Sequence, residues 1–195
     1  MACLLKGGGG LYNRLSLGAV VLAAGQGSRL GNRPKSLIEL AGIPLIRRQL
    51  VALSGAGVDQ LVVVLGHYAS QIRPFIEDFP ITVVDLSDYP EASQKLSVQQ
   101  GVSALQGKFD AVLVVPSDMP LLGTADYTDL IGAYKKRPEG ARMVRPMVSE
   151  APGNPVIFDS AITEEFESSV EPLCRHWWHK HPEQCYGWQT VNDRF

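Results

Sequence analysis

The sequence predicts an α/β protein, a three-layer α/β/α sandwich with a mostly parallel sheet. Three observations lead there. Several short runs are apolar throughout rather than alternating, which is the signature of strands covered by helices on both faces. Strand and helix candidates alternate along the chain, and that order implies right-handed parallel crossovers. The chemically unusual residues fall just after strand candidates, where ligands sit in such sheets.

Ala19-Val20-Val21-Leu22-Ala23 is the first buried-strand candidate. Pro44 opens a helical stretch, PLIRRQLVALSGAG, with proline suited to a first turn and Gly57 to a stop. QLVVVLG is a second strand, ASQIRPFIEDF a helix interrupted near Pro74, and ITVVDL a third strand. Residues Ser93 to Leu105 are helix-compatible, with Leu96, Val98, Val102 and Leu105 apolar. DAVLVVPSDMP is a fourth strand with an unusual ending, and TADYTDLIGAYKK is a helix. ARMVRPMV and NPVIFD read as strands, AITEEFESSV and PLCRHWWHKH as helices, and YGWQTV as a last strand.

The chain has 195 residues, enough for one sizeable core. Residues 1–16 read as a flexible leader and 17–195 as a single domain. The Gly7–Gly10 run lacks a strand before it and a helix after it, so it reads as linker rather than phosphate loop. Hydrophobic residues make up 45% and charged residues 19%, and the formal net charge is -2. That balance gives no electrostatic basis for nucleic acid or a membrane surface as partner. No apolar run approaches the ~20 residues a membrane helix needs. Cys3, Cys174 and Cys185 show no close ligand spacing and suggest reduced thiols, hence a cytoplasmic protein. His176, His179 and His181 beside those last two cysteines do not match a structural zinc spacing, and Trp177 and Trp178 look like packing residues.

GAVVLAAGQGSRLGNRPKS, residues 18–36, delivers a glycine-rich loop from a buried strand. Glycine lets the backbone approach an anion closely, and free N–H groups in such turns make an anion cradle. A dinucleotide fingerprint would want its third glycine at position 30, where leucine stands, so a flavin or nicotinamide site is disfavoured. A P-loop would want glycine before Lys35. The remaining reading has Arg29 and Lys35 neutralise a triphosphate and its leaving pyrophosphate. Asp118, just past the fourth strand, suits a hard cation such as Mg²⁺ shared with substrate phosphates. Its bland alternative is the cap of the next helix, but that helix is expected near Thr124.

LAAGQGSRLGNRPKSL resembles the LxAGxGxRxG…PK signature of nucleotidyltransferases, and most closely that of the molybdenum cofactor nucleotidyltransferases and their MobA-like relatives. The similarity extends through GIPLIRRQLVAL, VVVLGH, LSVQQG, VPSDMPLL and GNPVIFD, roughly residues 18 to 193. The resemblance implies a Rossmann-like fold of the nucleotide-diphospho-sugar transferase type, and a nucleotide site at Leu22, Ala23, Ala24, Gly25, Gly27 and Ser28. It places Ser97 and Gly101 near the nucleotide, with the plain alternative of a helix start capped by serine. It makes Asp118 the metal ligand and Arg29, Lys35 and Asp118 the catalytic set, with Mg²⁺ as cofactor. Ala24 goes with CTP, because a Cβ there leaves less room for a purine, while P-x-D at Pro116–Asp118 resembles the GTP-using branch.

Asn154 stands where the family has the histidine of its G-H-P segment, which faces the pterin. Asparagine still donates and accepts hydrogen bonds. His67, after the second strand, reads either as a cleft residue or as a surface histidine. Relatives continue with a D-[IV]-D-T strand, which has no counterpart before Phe195 and which Asp193 replaces poorly.

The expected activity is transfer of CMP or GMP from a triphosphate to phosphorylated molybdopterin, with a molybdoenzyme or its chaperone as downstream partner. A sugar- or alcohol-phosphate acceptor is the enzymatic alternative. A non-catalytic nucleotide- or cofactor-binding module is the alternative of another class.

Overall fold

Strands that must be buried on both faces form the centre of the sheet. The computed structural model describes residues 14–25, 34–89, 93–168 and 173–195. β1 (Leu17–Ala23) carries the first apolar run. A short hairpin follows, β2 (Glu39–Leu40) and β3 (Ile43–Pro44), and leads into α1 (Leu45–Gly55). Then come β4 (Gln60–Leu65), α2 (Ala69–Ile72), β5 (Thr82–Asp85) and α3 (Gln94–Ser103). After them lie β6 (Ala111–Pro116), α4 (Thr124–Lys135), β7 (Met143–Val148), β8 (Ala151–Pro152) and β9 (Val156–Asp159). The chain ends with α5 (Leu173–Lys180) and β10 (Cys185–Gln189).

The main sheet has the order β10-β7-β9-β6-β1-β4-β5, with β8 paired to β7 off that path. β5, β4, β1 and β6 are mutually parallel, and β10 is parallel to β7. β9 runs antiparallel to both its neighbours, so the sheet is mixed but mostly parallel. The expected α/β/α layering holds.

Alternation along β1 sends Ala19, Val21 and Ala23 into the core under α1, α2 and α4. Val20, between them, enters the second core under α3 and α5. β4 and β6 repeat this: Val63 and Leu113 face one way, Val62, Val64, Val112 and Val114 the other. Both faces are dry, which is why these strands read as unbroken apolar runs.

α1 buries Leu45, Ile46, Gln49, Leu50 and Leu53, one helical stripe. Pro44 caps this helix from outside rather than starting its first turn, because its extended backbone (ψ 141°) belongs to β3. The helix expected over ASQIRPFIEDF shrinks to the single turn of α2 and a 3-10 turn at Arg73–Phe75, where Pro74 lacks the amide that would continue it. The helix expected at AITEEFESSV is 3-10 over Ser160–Ser168. α3 starts as expected, with the Ser93 hydroxyl oxygen accepting from the Leu96 amide at 3.2 Å.

Two polar clamps fasten the strand entries. The Ser16 amide and hydroxyl donate to Asp110 Oδ2 at 2.7 and 2.9 Å, tying the start of β1 to that of β6. Arg14 Nη2 reaches Asp59 Oδ1 at 2.7 Å and the Gly57 carbonyl at 3.1 Å. Arg14 and Ser16, the last residues of the leader expected over 1–16, thus make contacts with the domain, and residues 1–13 lie outside the described residues. At the other end, Asn192 Nδ2 donates to Asp126 Oδ1 at 2.6 Å, and Arg194 Nη1 lies 3.4 Å from the same oxygen.

The Ser16 bonds hold the Asp110 carboxyl below the usual carboxylate range. A depressed folded-state pKa adds stability that is complete above the unfolded value of about 3.9 and is lost as pH falls through the folded one. Asp110→Asn is therefore expected to lower stability at pH 7 and to flatten its decline below about pH 4. Urea unfolding at pH 7, 4 and 3 checks this; parallel pH profiles for the two proteins would refute it.

Candidate active site

The carboxyl ends of β1, β4 and β6 meet at one edge of the sheet. β1 and β6 stay in register to Leu22 and Pro116, and the Ser117 amide extends the pairing to the Leu22 carbonyl at 3.1 Å. Asp118 is therefore delivered at the tip of β6, directly beside the loop that leaves β1. After β1 the chain returns at Pro34, and a 3-10 turn at Lys35–Leu37 packs on α1. That turn presents the Lys35 ammonium to the same tip.

Lys35 Nζ lies 3.3 Å from Asp118 Oδ2. Both side chains are partly exposed, 36% and 41%. Such an ion pair adds only about 0–1 kcal/mol to stability. Its value is chemical: a cation and an anion fixed at one strand tip. Beside it opens a cleft of about 340 Å³, lined by Leu22, Ala23, Gly25, Ser117 and Tyr68 with the ion pair itself. Asp118 is not a helix cap. α4 begins at Thr124, and its cap is the Gly123 amide donating to Asp126 Oδ2 at 2.8 Å.

Gln49 fastens the loop from behind. Fully buried in α1, its amide nitrogen donates to the Met119 carbonyl, and its carbonyl accepts from the Tyr127 hydroxyl. Burial pushes the Tyr127 phenol well above its ordinary range, so it stays a neutral donor. The residue after Asp118 is thus bolted to α1 and α4 together.

The structure brings Leu22, Ala23, Gly25, Lys35 and Asp118 to one cleft. Gly27, Ser28 and Arg29 lie outside the described residues. Ala24 sits at the same strand end, but its methyl fits against Gly66: a Cβ added there would lie 2.9 Å from that of Ala24. Ser97 and Gly101 go elsewhere. Ser97 is buried and its hydroxyl donates to the Ser93 carbonyl at 3.2 Å. A Cβ on Gly101 would stand 2.3 Å from Val20 Cγ1 and 2.9 Å from Val64 Cγ2, so this glycine lets α3 lie close on the sheet. Neither lines the cleft. Asn154 lines a second cavity, on the other face of the same tip. His67 is exposed, edge-on to Tyr68 at 4.6 Å.

Sequence reasoning missed Tyr68, Ser117 and Gln49. Gln49 had a signal: it is the one polar residue among the buried positions of α1. Among the described residues no group of three or more His, Cys, Asp or Glu is placed to hold a metal, including the histidines around α5. A single strand-tip carboxylate nevertheless fits Mg²⁺, which keeps several waters and is held by one or two carboxylates plus substrate phosphates. Cys174 and Cys185 are free thiols. No helix among the described residues is long and apolar enough to cross a membrane.

Comparison with known families places this mostly parallel sheet, with a lysine, a carboxylate and a cleft gathered at its strand tips, in the nucleotidyltransferase class. The chain belongs to the MobA-like NTP transferase domain family, which matches residues 19–181. It is similar to the bifunctional protein GlmU of Chelativorans sp. (strain BNC1), 34% identical over 173 residues, which are 83% of this chain and 37% of that protein. The chain spans about a third of the length of the curated relatives it matches. Among solved structures, Rv0371c from Mycobacterium tuberculosis H37Rv superposes with a TM-score of 0.73 at 20% identity, covering 90% of this chain and 88% of that one. A nucleotidyl transferase from Methanothermobacter thermautotroptrophicus superposes with a TM-score of 0.73 at 23% identity, covering 91% and 88%. These two share its fold.

Proposed function

We propose that this protein transfers a nucleotidyl group, CMP or GMP, from a nucleoside triphosphate to a phosphorylated acceptor of the molybdopterin type and releases pyrophosphate. The observation that carries the reading is the Lys35–Asp118 pair at the joined tips of β1 and β6. An exposed ion pair beside an open cleft is well placed to exchange its internal partner for a metal-bound polyphosphate.

In this reading Lys35 neutralises charge on the leaving pyrophosphate, and Arg29 shares that work from the glycine loop. The amides of Ala23 to Ser28 cradle the phosphates. Asp118 would hold Mg²⁺, which when bound supplies positive charge to the α-phosphate. No protein nucleophile is required: positioning and charge neutralisation account for most of catalysis in such transfers. The packing of Ala24 against Gly66 leaves CTP and GTP both open to the same test.

The experiment is pyrophosphate release from CTP and GTP, with Mg²⁺ or EDTA, against phosphorylated molybdopterin and a panel of sugar and alcohol phosphates. Release that needs Mg²⁺ and the pterin carries the reading. Turnover with a sugar or alcohol phosphate alone moves the acceptor to that class. Tight triphosphate binding in calorimetry without turnover on any acceptor marks a non-catalytic binding module.

A further inference from the structure

The second cavity lies on the opposite face of the sheet from the cleft. It measures about 130 Å³, has Leu22, Val114 and Val156 in its wall, and carries Arg145, Arg175 and Asn154. That is well below the ~300–1,000 Å³ of sites that enclose a whole drug-sized ligand, so it suits one group of a larger molecule.

Two cations share this small space. Arg145 projects from the middle of β7, between apolar neighbours in the sequence MVRPMV. Its guanidinium donates to the Gly153 carbonyl, at 2.8 Å from Nη2, and lies 5.4 Å from the centre of the Trp178 ring. Burial works against its charge, and so does the neighbouring Arg175. Among the described residues neither arginine is ion-paired with a carboxylate. Cys174, also in the wall, offers no countercharge, since burial pushes its thiol up to about 12. The part-buried Arg145 beside the exposed Arg175 leaves two positive charges at one mouth of the cavity, a field that attracts an anion. Paired guanidinium groups match the oxygens of a phosphate bidentately.

We infer that Arg145 and Arg175 clamp a phosphate monoester, the attacking phosphate of the acceptor. This rests on the nucleotidyl-transfer reading. The cleft and the cavity share Leu22, and consecutive residues divide between them, Pro116 facing the cavity and Ser117 and Asp118 the cleft. The two spaces adjoin at the strand tip, so an acceptor phosphate in one can approach a triphosphate in the other, as displacement at phosphorus needs. An oxygen of the acceptor phosphate dianion forms the new bond to the α-phosphorus. The α–β bridging bond breaks, and pyrophosphate leaves with its electron pair. The charges of substrates and products balance without proton transfer to the protein.

The test titrates inorganic phosphate, glycerol 3-phosphate and CTP into the full chain, followed by calorimetry and by tryptophan fluorescence. The variants are Arg175→Met, whose side chain is exposed, and Arg145→Lys and Arg145→Met. Both methionine variants are expected to weaken phosphate and glycerol 3-phosphate at least tenfold and to leave CTP within twofold, and Arg145→Lys to fall between. Phosphate and CTP are expected to bind together. Unchanged phosphate affinity in Arg175→Met overturns the clamp, as does competition between phosphate and CTP, which would place the anion in the nucleotide cleft. Phosphate binding that depends on the arginines, with no transfer to any acceptor, would sink the transferase reading and leave the anion site standing.

Discussion

Asp118→Asn is expected to reduce nucleotidyl transfer by about 10²–10³-fold, the range seen when one preorganised electrostatic group is lost from an active site. Asparagine keeps the shape and an acceptor oxygen but removes the charge that would hold the metal and that faces Lys35 at 3.3 Å. Stability should barely change. The side chain is exposed, the lysine is its only described partner, and such pairs contribute about 0–1 kcal/mol. Pyrophosphate release and thermal unfolding, measured together, separate the two effects. Transfer within a few-fold of wild type would remove Asp118 from the mechanism. A large drop in melting temperature would mean that it serves the fold.

Gln49→Leu should act in the opposite order, on the fold first and on turnover through it. The substitution keeps the volume but strands two polar groups, the part-buried Met119 carbonyl and the buried Tyr127 hydroxyl. Each orphan costs about 1–3 kcal/mol, so a loss of about 2–5 kcal/mol is expected in urea unfolding. Removing the Tyr127 hydroxyl as well, in Gln49→Leu/Tyr127→Phe, should recover part of that loss, because one orphan disappears. Met119 follows Asp118 in the chain, so the loosened loop should lower kcat more than it raises KM for the triphosphate. An unaltered unfolding midpoint in Gln49→Leu would show that the amide does not hold the loop.

Much of this architecture was legible because burial on both faces leaves an unmistakable trace. AVVLA, LVVVL and AVLVV read as central strands, and the order strand–helix–strand implied their parallel pairing. The meeting of Lys35 with Asp118 followed from the same logic, since residues at neighbouring strand tips in a parallel sheet share an edge. What stayed hidden had weaker local signals. The β7–β8 hairpin turns through Ser149 (φ 48°) and Glu150 (φ 67°), left-handed positions that usually carry glycine or asparagine. The hairpin before α1 turns through Ala41 (φ 54°) and Gly42 (φ 76°), of which only the glycine hints at a turn. The reversed direction of β9 depends on partners far away in sequence. Ser97 and Gly101 show why spacing alone is a weak signal: a serine and a glycine four apart serve tight helix–sheet packing as readily as ligand contact.

Arg145 and Arg175 were passed over for a different reason. Thirty positions separate them, and only the pairing of β10 and α5 with the far half of the sheet makes them neighbours. A cation inside the apolar run of β7 was the clue, and its meaning needed the fold.

The C-terminal contacts with Asp126 reach further than the helix they join. That carboxylate also caps α4 at Gly123, where the segment beginning at Ser117 ends. The stretch carrying Asp118 is thus pinned at two piers, one at Met119 by Gln49 and one at Gly123 by a residue that Asn192 and Arg194 steady. Whatever disturbs the final residues can reach the Asp118 strand tip through a single helical turn, without deforming any strand between them.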